Sequence, residues 1–373
     1  MSELPLRLVA WEMTRACNLA CVHCRAGACA SPDPDDLSLE EGRSLITGIA
    51  KVGRPILIMS GGEPLLQPDF FDLARFGVES GLRVVLATNG VLVTADVAKR
   101  IAEVGIARVS VSIDGPTAGS HDAFRKVPGA FEAALTGIAN LRTAGVSVQI
   151  NTTLTRRNRL DLTDMVRLAE RVGADAFHVF LLVPTGRARE MSGEEMGPEE
   201  YEETLIEFYR LSRETELETK ATCAPQYYRI MRQQARLEGL EVTEETFGLN
   251  ARTRGCLAGL SFVFVSHRGD LQPCGYLDIQ AGNIREREFA DLWQNAPLFE
   301  KLRNFRLLEG KCSTCDYVRF CGGCRARAHE LTGNVMSEEP YCAYMPPALR
   351  RQTRSTSTES RGIREPGFRL PPE

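Results

Sequence analysis

No run of about 18 apolar residues occurs in the chain, so nothing in it reads as a membrane-spanning helix. Neither sign of charge dominates. The 45 Lys and Arg stand against 49 Asp and Glu, a net charge of -4, which excludes the strongly basic footprint of a nucleic-acid-binding domain. The first residues, MSELPLRLVAW, lack the basic-then-apolar pattern of a secretory leader. No internal repeat stands out beyond an alternation of strand and helix patterns. The expected location is cytoplasmic, where thiols stay reduced. What the chain does have is cysteine, twelve in 373 residues, which in a reducing compartment points to metal rather than to disulfides. With 43% hydrophobic and 25% charged residues, it has the composition of a globular protein and the length for one large domain plus a smaller one.

Up to residue 185 two patterns alternate. LVAWEMT (8–14), PILIMS (55–60), RVVLAT (83–88), ARVSVSID (107–114), VSVQINTTL (146–154) and AFHVFLLV (176–183) fit strands. Amphipathic segments such as LSLEEGRSLITGIAKVG fit helices between them. Six such units predict an α/β fold with a parallel sheet. Val109, Val111 and Ile113 would share one face, and Ser110, Ser112 and Asp114 the other. Gln149, Asn151 and Thr153 repeat that polar face in the next strand. A polar inner face suits an open barrel lined for a ligand, with chemistry at the C-terminal ends of the strands. The reading places a barrel at 8–190, a helical region at 191–250, a cysteine-rich domain at 251–347 and a disordered tail at 348–373. Within the third part, LSFVFVSHRGDLQPCGYL predicts a hairpin turning at Arg268-Gly269-Asp270.

Directly after the first strand comes CNLACVHC, with Cys17, Cys21 and Cys24 spaced C-x3-C-x2-C. Three thiols leave several chemistries open: buried core cysteines, zinc on three protein ligands, or a [4Fe–4S] cluster with one iron free of thiolate. After the second strand comes Gly61-Gly62-Glu63-Pro64. Its glycines permit close backbone approach, and a carboxylate among carbonyls suits an ammonium group. A turn carrying a solvated Glu is the plain alternative.

Together, the cysteine loop and the Gly-Gly-Glu-Pro segment resemble the radical S-adenosylmethionine (SAM) superfamily, whose fold is a partial (β/α)6 TIM-like barrel. The resemblance implies one [4Fe–4S] cluster at Cys17, Cys21 and Cys24, with SAM chelating the open iron. Reductive cleavage of SAM then gives methionine and a 5′-deoxyadenosyl radical that takes hydrogen from substrate. It implies SAM contacts at Gly61, Gly62, Glu63 and Pro64, and further ones at Asn89, Ser112, Asp114 and Asn151, residue types that also cap turns. No side chain is assigned as general acid or base.

Seven cysteines follow: Cys256, Cys274, Cys312, Cys315, Cys321, Cys324 and Cys342. Their order resembles the SPASM domain that accompanies some radical SAM enzymes, except that Cys321 and Cys324 are spaced C-x2-C where C-x3-C is usual. The resemblance implies one auxiliary [4Fe–4S] cluster on Cys312, Cys315, Cys321 and Cys342. Cys256, Cys274 and Cys324 would hold a second, three-coordinated or completed by a non-cysteine ligand. A zinc ribbon fits poorly, because its pairs are usually further apart. Cys29 and Cys223 fit neither motif, and Cys223 reads first as a core thiol.

The segments LVAWEMTRACNLACVHCRA, INTTLTRRN, HVFLLVPTGRA, KATCAPQYYRIMRQ, TRGCLAG and CGGCRARA resemble the alternative haem b synthases of the sirohaem-dependent pathway. Those enzymes are iron-coproporphyrin III decarboxylases, with haem d1 maturases as near relatives. The resemblance implies oxidative decarboxylation of two propionates to vinyl groups, with reducing equivalents from a ferredoxin or flavodoxin. A tetraanionic porphyrin calls for cations, and Arg187, Arg189, Arg229, Arg325 and Arg327 are candidates. Tyr227 and Tyr228 would pack on the macrocycle. The competing readings are a haem d1-type maturase, a peptide-modifying SPASM maturase and a non-catalytic iron–sulfur electron carrier. No added peptide-recognition domain is visible, and a carrier would give every iron a thiolate.

Overall fold

A computed structural model describes residues 5–191 and 193–350; of the tail read from the sequence, residues 351–373 lie outside the described ones. Six strands, β1 (Leu8–Glu12), β2 (Ile56–Ser60), β3 (Arg83–Thr88), β4 (Val109–Ser112), β5 (Val148–Leu154) and β6 (Ala176–Leu181), lie side by side in chain order, all parallel. Helices α1 (Leu39–Val52), α2 (Phe70–Glu79), α3 (Ala95–Val104), α4 (Ala118–Arg125), α5 (Ala130–Thr143) and α6 (Leu162–Arg171) connect or follow them. The partial (β/α)6 barrel expected from the six units is therefore present.

The helices form where local signals agree. Helix α1 opens with a capping box, in which Ser38 accepts from Glu41 N and Glu41 reaches back to Ser38 N. It buries Leu45, Ile46 and Ile49 on one face. Each such side chain contributes about 1.5–3 kcal/mol. Helix α5 turns Phe131, Ala134, Ile138 and Leu141 inward at helical spacing. In the sheet, the outward Val109, Val111, Val148 and Ile150 are buried beneath this helical layer. The inward Ser110, Ser112, Asn151 and Thr153 stay partly exposed. The polar face predicted from alternation is thus partly open at these four residues, while Asp114 and Gln149 are buried.

Two findings go beyond the six units. Region 191–250 is not purely helical. After α7 (Pro198–Glu214) it contains β7 (Glu218–Thr222), parallel to β6, before α8 (Tyr227–Leu237). ETKAT hides as a strand because it has no apolar run; its one fully buried residue is Ala221. The cysteine-rich part is also not built apart from the barrel. Its hairpin, β8 (Phe262–Val265) and β9 (Asp270–Gln272), joins the same sheet, with β8 parallel to β1 from Leu8 opposite Phe262 to Trp11 opposite Val265. A short β10 (Gly282–Asn283) completes the order β10-β9-β8-β1-β2-β3-β4-β5-β6-β7.

Candidate functional site

Cys17, Cys21 and Cys24 leave the C-terminal end of β1 on one loop. Backbone bonds brace that loop, from Cys17 N to Cys29 O (2.8 Å), from Ala20 N to Arg125 O (3.3 Å) and from Val22 N to Phe124 O (3.1 Å). Each sulfur has its own donor. Leu19 N points at Cys17 Sγ (3.4 Å), Arg125 Nη1 at Cys21 Sγ (3.5 Å) and Ala28 N at Cys24 Sγ (3.4 Å). Burial pushes the Cys17 thiol up to about 11; Leu19 N–H opposes this, while Glu63, Cys21 and Cys24 reinforce it. A thiol buried in this way ionises only against positive charge. An iron–sulfur core supplies that charge, and the three donors suit sulfurs bound to it. The residues fit the group.

The Gly-Gly-Glu-Pro segment lies directly against this loop. Gly62 N donates to Thr14 O and Glu63 N to Ala16 O, both at 2.7 Å. A Cβ on Gly61 would stand 2.7 Å from Thr14 O, and one on Gly62 only 2.3 Å from Ala16 O. Glycine is required here so that the two loops can touch. Glu63 is fully buried. Its carboxylate accepts from Thr88 Oγ1 (2.8 Å), Asn89 N (2.9 Å) and Leu65 N (3.2 Å). Burial raises its pKa against those donors. Pro64 opens the short turn Pro64–Leu66. Asn89 Nδ2 donates to Asn18 Oδ1 (2.7 Å) and lies 3.9 Å from Cys17 Sγ.

Asp114, just past β4, is equally enclosed. It accepts from Thr153 N at 2.8 Å and pairs with Arg125 at 2.5 Å, the arginine that also faces Cys21. Burial pushes its carboxyl up, but Arg125 and His23 pull harder and leave it below the usual range. Arg125 was invisible as a site residue in the sequence, since nothing marks one helical arginine among many. The same holds for Arg25, which pairs with Glu12 at 2.7 Å and donates to Gly275 O at 3.2 Å, tying the cysteine loop to the C-terminal part.

Strand register produces a row that sequence reading saw only in part. Ser112 stands opposite Asn151, Asn151 opposite His178, and His178 opposite Lys220. All four are partly exposed on the inner face. Gln149 Nε2 lies 2.7 Å from Asn151 Oδ1 and 2.9 Å from His178 Nδ1. Burial lowers the His178 pKa to about 3, and it lowers that of Lys220 as well. Among the described residues no carboxylate pairs with Lys220.

The C-terminal cysteines fall into two sets. Cys312, Cys315, Cys321 and Cys342 line one cavity, together with Arg229 and Lys311. Glu339 N donates to Cys312 Sγ and Gly323 N to Cys321 Sγ, both at 3.4 Å. Cys324 is absent from that lining; it packs with Cys274 in a buried group, and Arg327 N donates to its sulfur at 3.5 Å. The shortened C-x2-C spacing thus still divides Cys321 from Cys324. Cys29 is exposed and donates to Ser31 O.

The arginines and tyrosines expected to meet a porphyrin are occupied elsewhere. Arg187 donates to Cys21 O (2.8 Å) and Ala28 O (2.7 Å), so it shapes the first cysteine loop. Arg189 pairs with Glu330 and Arg229 with Glu202. Arg325 donates to Val335 O and Ser337 O, and Arg327 forms a fully buried pair with Glu339 at 2.9 Å. Tyr227 and Tyr228 are buried in the core beside Phe208. Sequence position told which residues were cationic or aromatic, but not which way they face.

Comparison with known proteins agrees with this geometry. The radical SAM superfamily profile matches residues 11–169, and an iron–sulfur cluster-binding domain of SPASM type matches residues 256–324. An AdoMet-dependent heme synthase of Methanosarcina barkeri is 51% identical over 93% of this chain and 98% of its own length. A pre-heme d1 synthase of Dinoroseobacter shibae is 32% identical over 91% of this chain and 86% of its own. Streptococcus suis SuiB, solved bound to precursor peptide SuiA, shares the fold with a TM-score of 0.70 at 18% identity, covering 91% of this chain and 76% of that one. No helix among the described residues is long and apolar enough to cross a membrane. The matched domains imply SAM and iron–sulfur clusters as cofactors, and the chain belongs to the radical SAM superfamily, in its SPASM-bearing branch.

Proposed function

We propose that this chain converts two propionates of iron-coproporphyrin III into vinyl groups by oxidative decarboxylation, yielding haem b. The observation that carries the reading is the near full-length identity to the haem synthase, well above that to the pre-haem d1 enzyme. When bound, SAM and the cluster at Cys17, Cys21 and Cys24 supply the one-electron chemistry that activates a C–H bond.

The chain's own residues position and shield. Gly61, Gly62 and Pro64 offer backbone to SAM, with Glu63, Asn89 and Asp114 fixing the shape of the loops around it. Ser112 and Asn151 present polar groups from the inner face. Next in the same row, His178 and Lys220 face the space left for substrate. A propionate beside Lys220 would offset the burial that now disfavours its charge. Each propionate must lose a hydrogen atom, CO2 and one electron to become a vinyl group. The C-terminal cysteines offer that electron an iron–sulfur acceptor, and a ferredoxin or flavodoxin serves as donor for the first cluster.

The test is anaerobic reconstitution followed by SAM, a reductant and iron-coproporphyrin III. The expected products are 5′-deoxyadenosine and a porphyrin short of two carboxyl groups, read by mass spectrometry. Deoxyadenosine with the porphyrin unchanged would overturn the substrate assignment while leaving the family intact.

A further inference from the structure

Cys223 stands outside both cysteine motifs, yet the fold brings it to one of them. It directly follows β7 with φ 55, a left-handed conformation that a non-glycine residue rarely adopts. Such backbone strain costs on the order of 1 kcal/mol and persists only where the surroundings enforce it. The enforcing neighbours are specific. Cys223 and Cys274 pack against the buried group that includes Cys324, Val183 and Leu277. Arg327 Nη1 donates to Cys223 O at 2.7 Å while Arg327 N donates to Cys324 Sγ at 3.5 Å, so one residue clamps both. Gly255 abuts Pro225, where an added Cβ would stand 2.5 Å from Pro225 Cα. Cys256 N bonds Cys321 O at 3.1 Å. Four separate segments, carrying Cys223, Cys256, Cys274 and Cys324, therefore meet.

We infer that Cys223 is the fourth thiolate ligand of a second auxiliary [4Fe–4S] cluster, whose other ligands are Cys256, Cys274 and Cys324. The inference rests on reading the C-terminal cysteines as cluster ligands. It replaces both the core-thiol reading of Cys223 and the three-coordinate reading of this set. With every iron bound by a thiolate, this cluster has no open iron for substrate, and its role is electron transfer. Its surroundings lead back to the first site. Arg25, next to Cys24, donates to Gly275 O, next to Cys274, at 3.2 Å.

The test begins with a parent in which Cys17, Cys21 and Cys24 are all changed to Ala, leaving only the auxiliary sites. After anaerobic reconstitution the parent should hold about eight irons per chain, four per cluster. Adding Cys223→Ser should lower this to about four, or leave a three-iron cluster signal in the oxidised EPR spectrum. Cys223→Asp, which restores an anionic ligand, should recover iron with an altered spectrum. Adding Cys29→Ser, at an exposed thiol, should change nothing. An unchanged iron count and spectrum in Cys223→Ser would overturn the ligand assignment. A parent with about four irons would overturn the second cluster itself. Mössbauer spectra of iron-labelled wild type provide a check free of folding effects. One cluster only should show a distinct iron that responds to SAM. A second cluster with an iron lacking thiolate would refute the inference.

Discussion

The two cysteine regions solve the same problem in opposite ways. In the first, three thiols sit within eight residues on one loop, and a separate donor faces each sulfur. In the second, each set needs more than one segment: Cys342 joins the close-spaced Cys312, Cys315 and Cys321 from further along the chain, and Cys324 meets Cys274 from well before it. The cavity set spans Cys312 to Cys342, and the set around Cys324 draws on Cys256 and Cys274. A local loop can leave one iron free because its three ligands need no further chain segment. A site assembled from remote segments can enclose a cluster completely. On the proposed ligand sets, the first region suits chemistry on a bound cofactor and the second suits electron transfer.

The sharpest way to break that contrast is Cys17→Ala. It should abolish 5′-deoxyadenosine formation while leaving the auxiliary iron in place, read by iron analysis and product chromatography. SAM cleavage that survives the change would sink the assignment of the first loop.

A paired experiment tests whether each region has its own buried brace. Arg125→Met removes the donor on Cys21 and strands Asp114; Arg327→Met strands Glu339. Breaking a buried ion pair in this way costs about 3–5 kcal/mol. Thermal unfolding should register both losses, but iron should fall at the first site for Arg125→Met and at the auxiliary sites for Arg327→Met. Loss from the same site in both variants would erase the distinction.

A smaller effect concerns pH. Burial lowers the His121 pKa from 6.5 to about 4, with Arg125 adding to the shift, and Asp114 N donates to its Nδ1 at 3.2 Å. The folded protein keeps this ring neutral while the unfolded chain protonates near 6.5. Stability is therefore fully present above that pH and falls as pH drops toward 4, by roughly 3 kcal/mol in all. Denaturant titrations of wild type and His121→Gln should converge as pH falls over this range. A constant gap between them would refute the assignment.

Lys220→Met should act on substrate alone. Loss of a charged hydrogen bond worth about 1.5–3 kcal/mol would raise KM for iron-coproporphyrin III roughly 10- to 150-fold. Substrate-free SAM cleavage should stay as it was. An unchanged KM would remove Lys220 from the substrate site.

Much of this protein is local, and the local part was legible. The six strands were readable because each is a short apolar or alternating run. The first loop was readable because its three thiols are close in sequence, and Gly61-Gly62 because only glycine allows the approach to Thr14 and Ala16. Strand β7 escaped because ETKAT gains its place by pairing with β6, not by its own hydrophobicity. The surroundings of the five candidate arginines were not legible, because a charged side chain's direction depends on neighbours far along the chain, as Arg187 shows by binding Cys21 O and Ala28 O.

The sequence by itself determined the parallel sheet, the three-thiol loop and the number of C-terminal cysteines, since periodicity and short spacing act within a few residues. Only the tertiary structure decided that β8 extends the sheet beside β1, and that Ser112, Asn151, His178 and Lys220 form one row. It alone brought Cys223 to Cys324. Those facts depend on register and packing between segments far apart in the chain, where long-range contacts rather than local preferences fix what meets what.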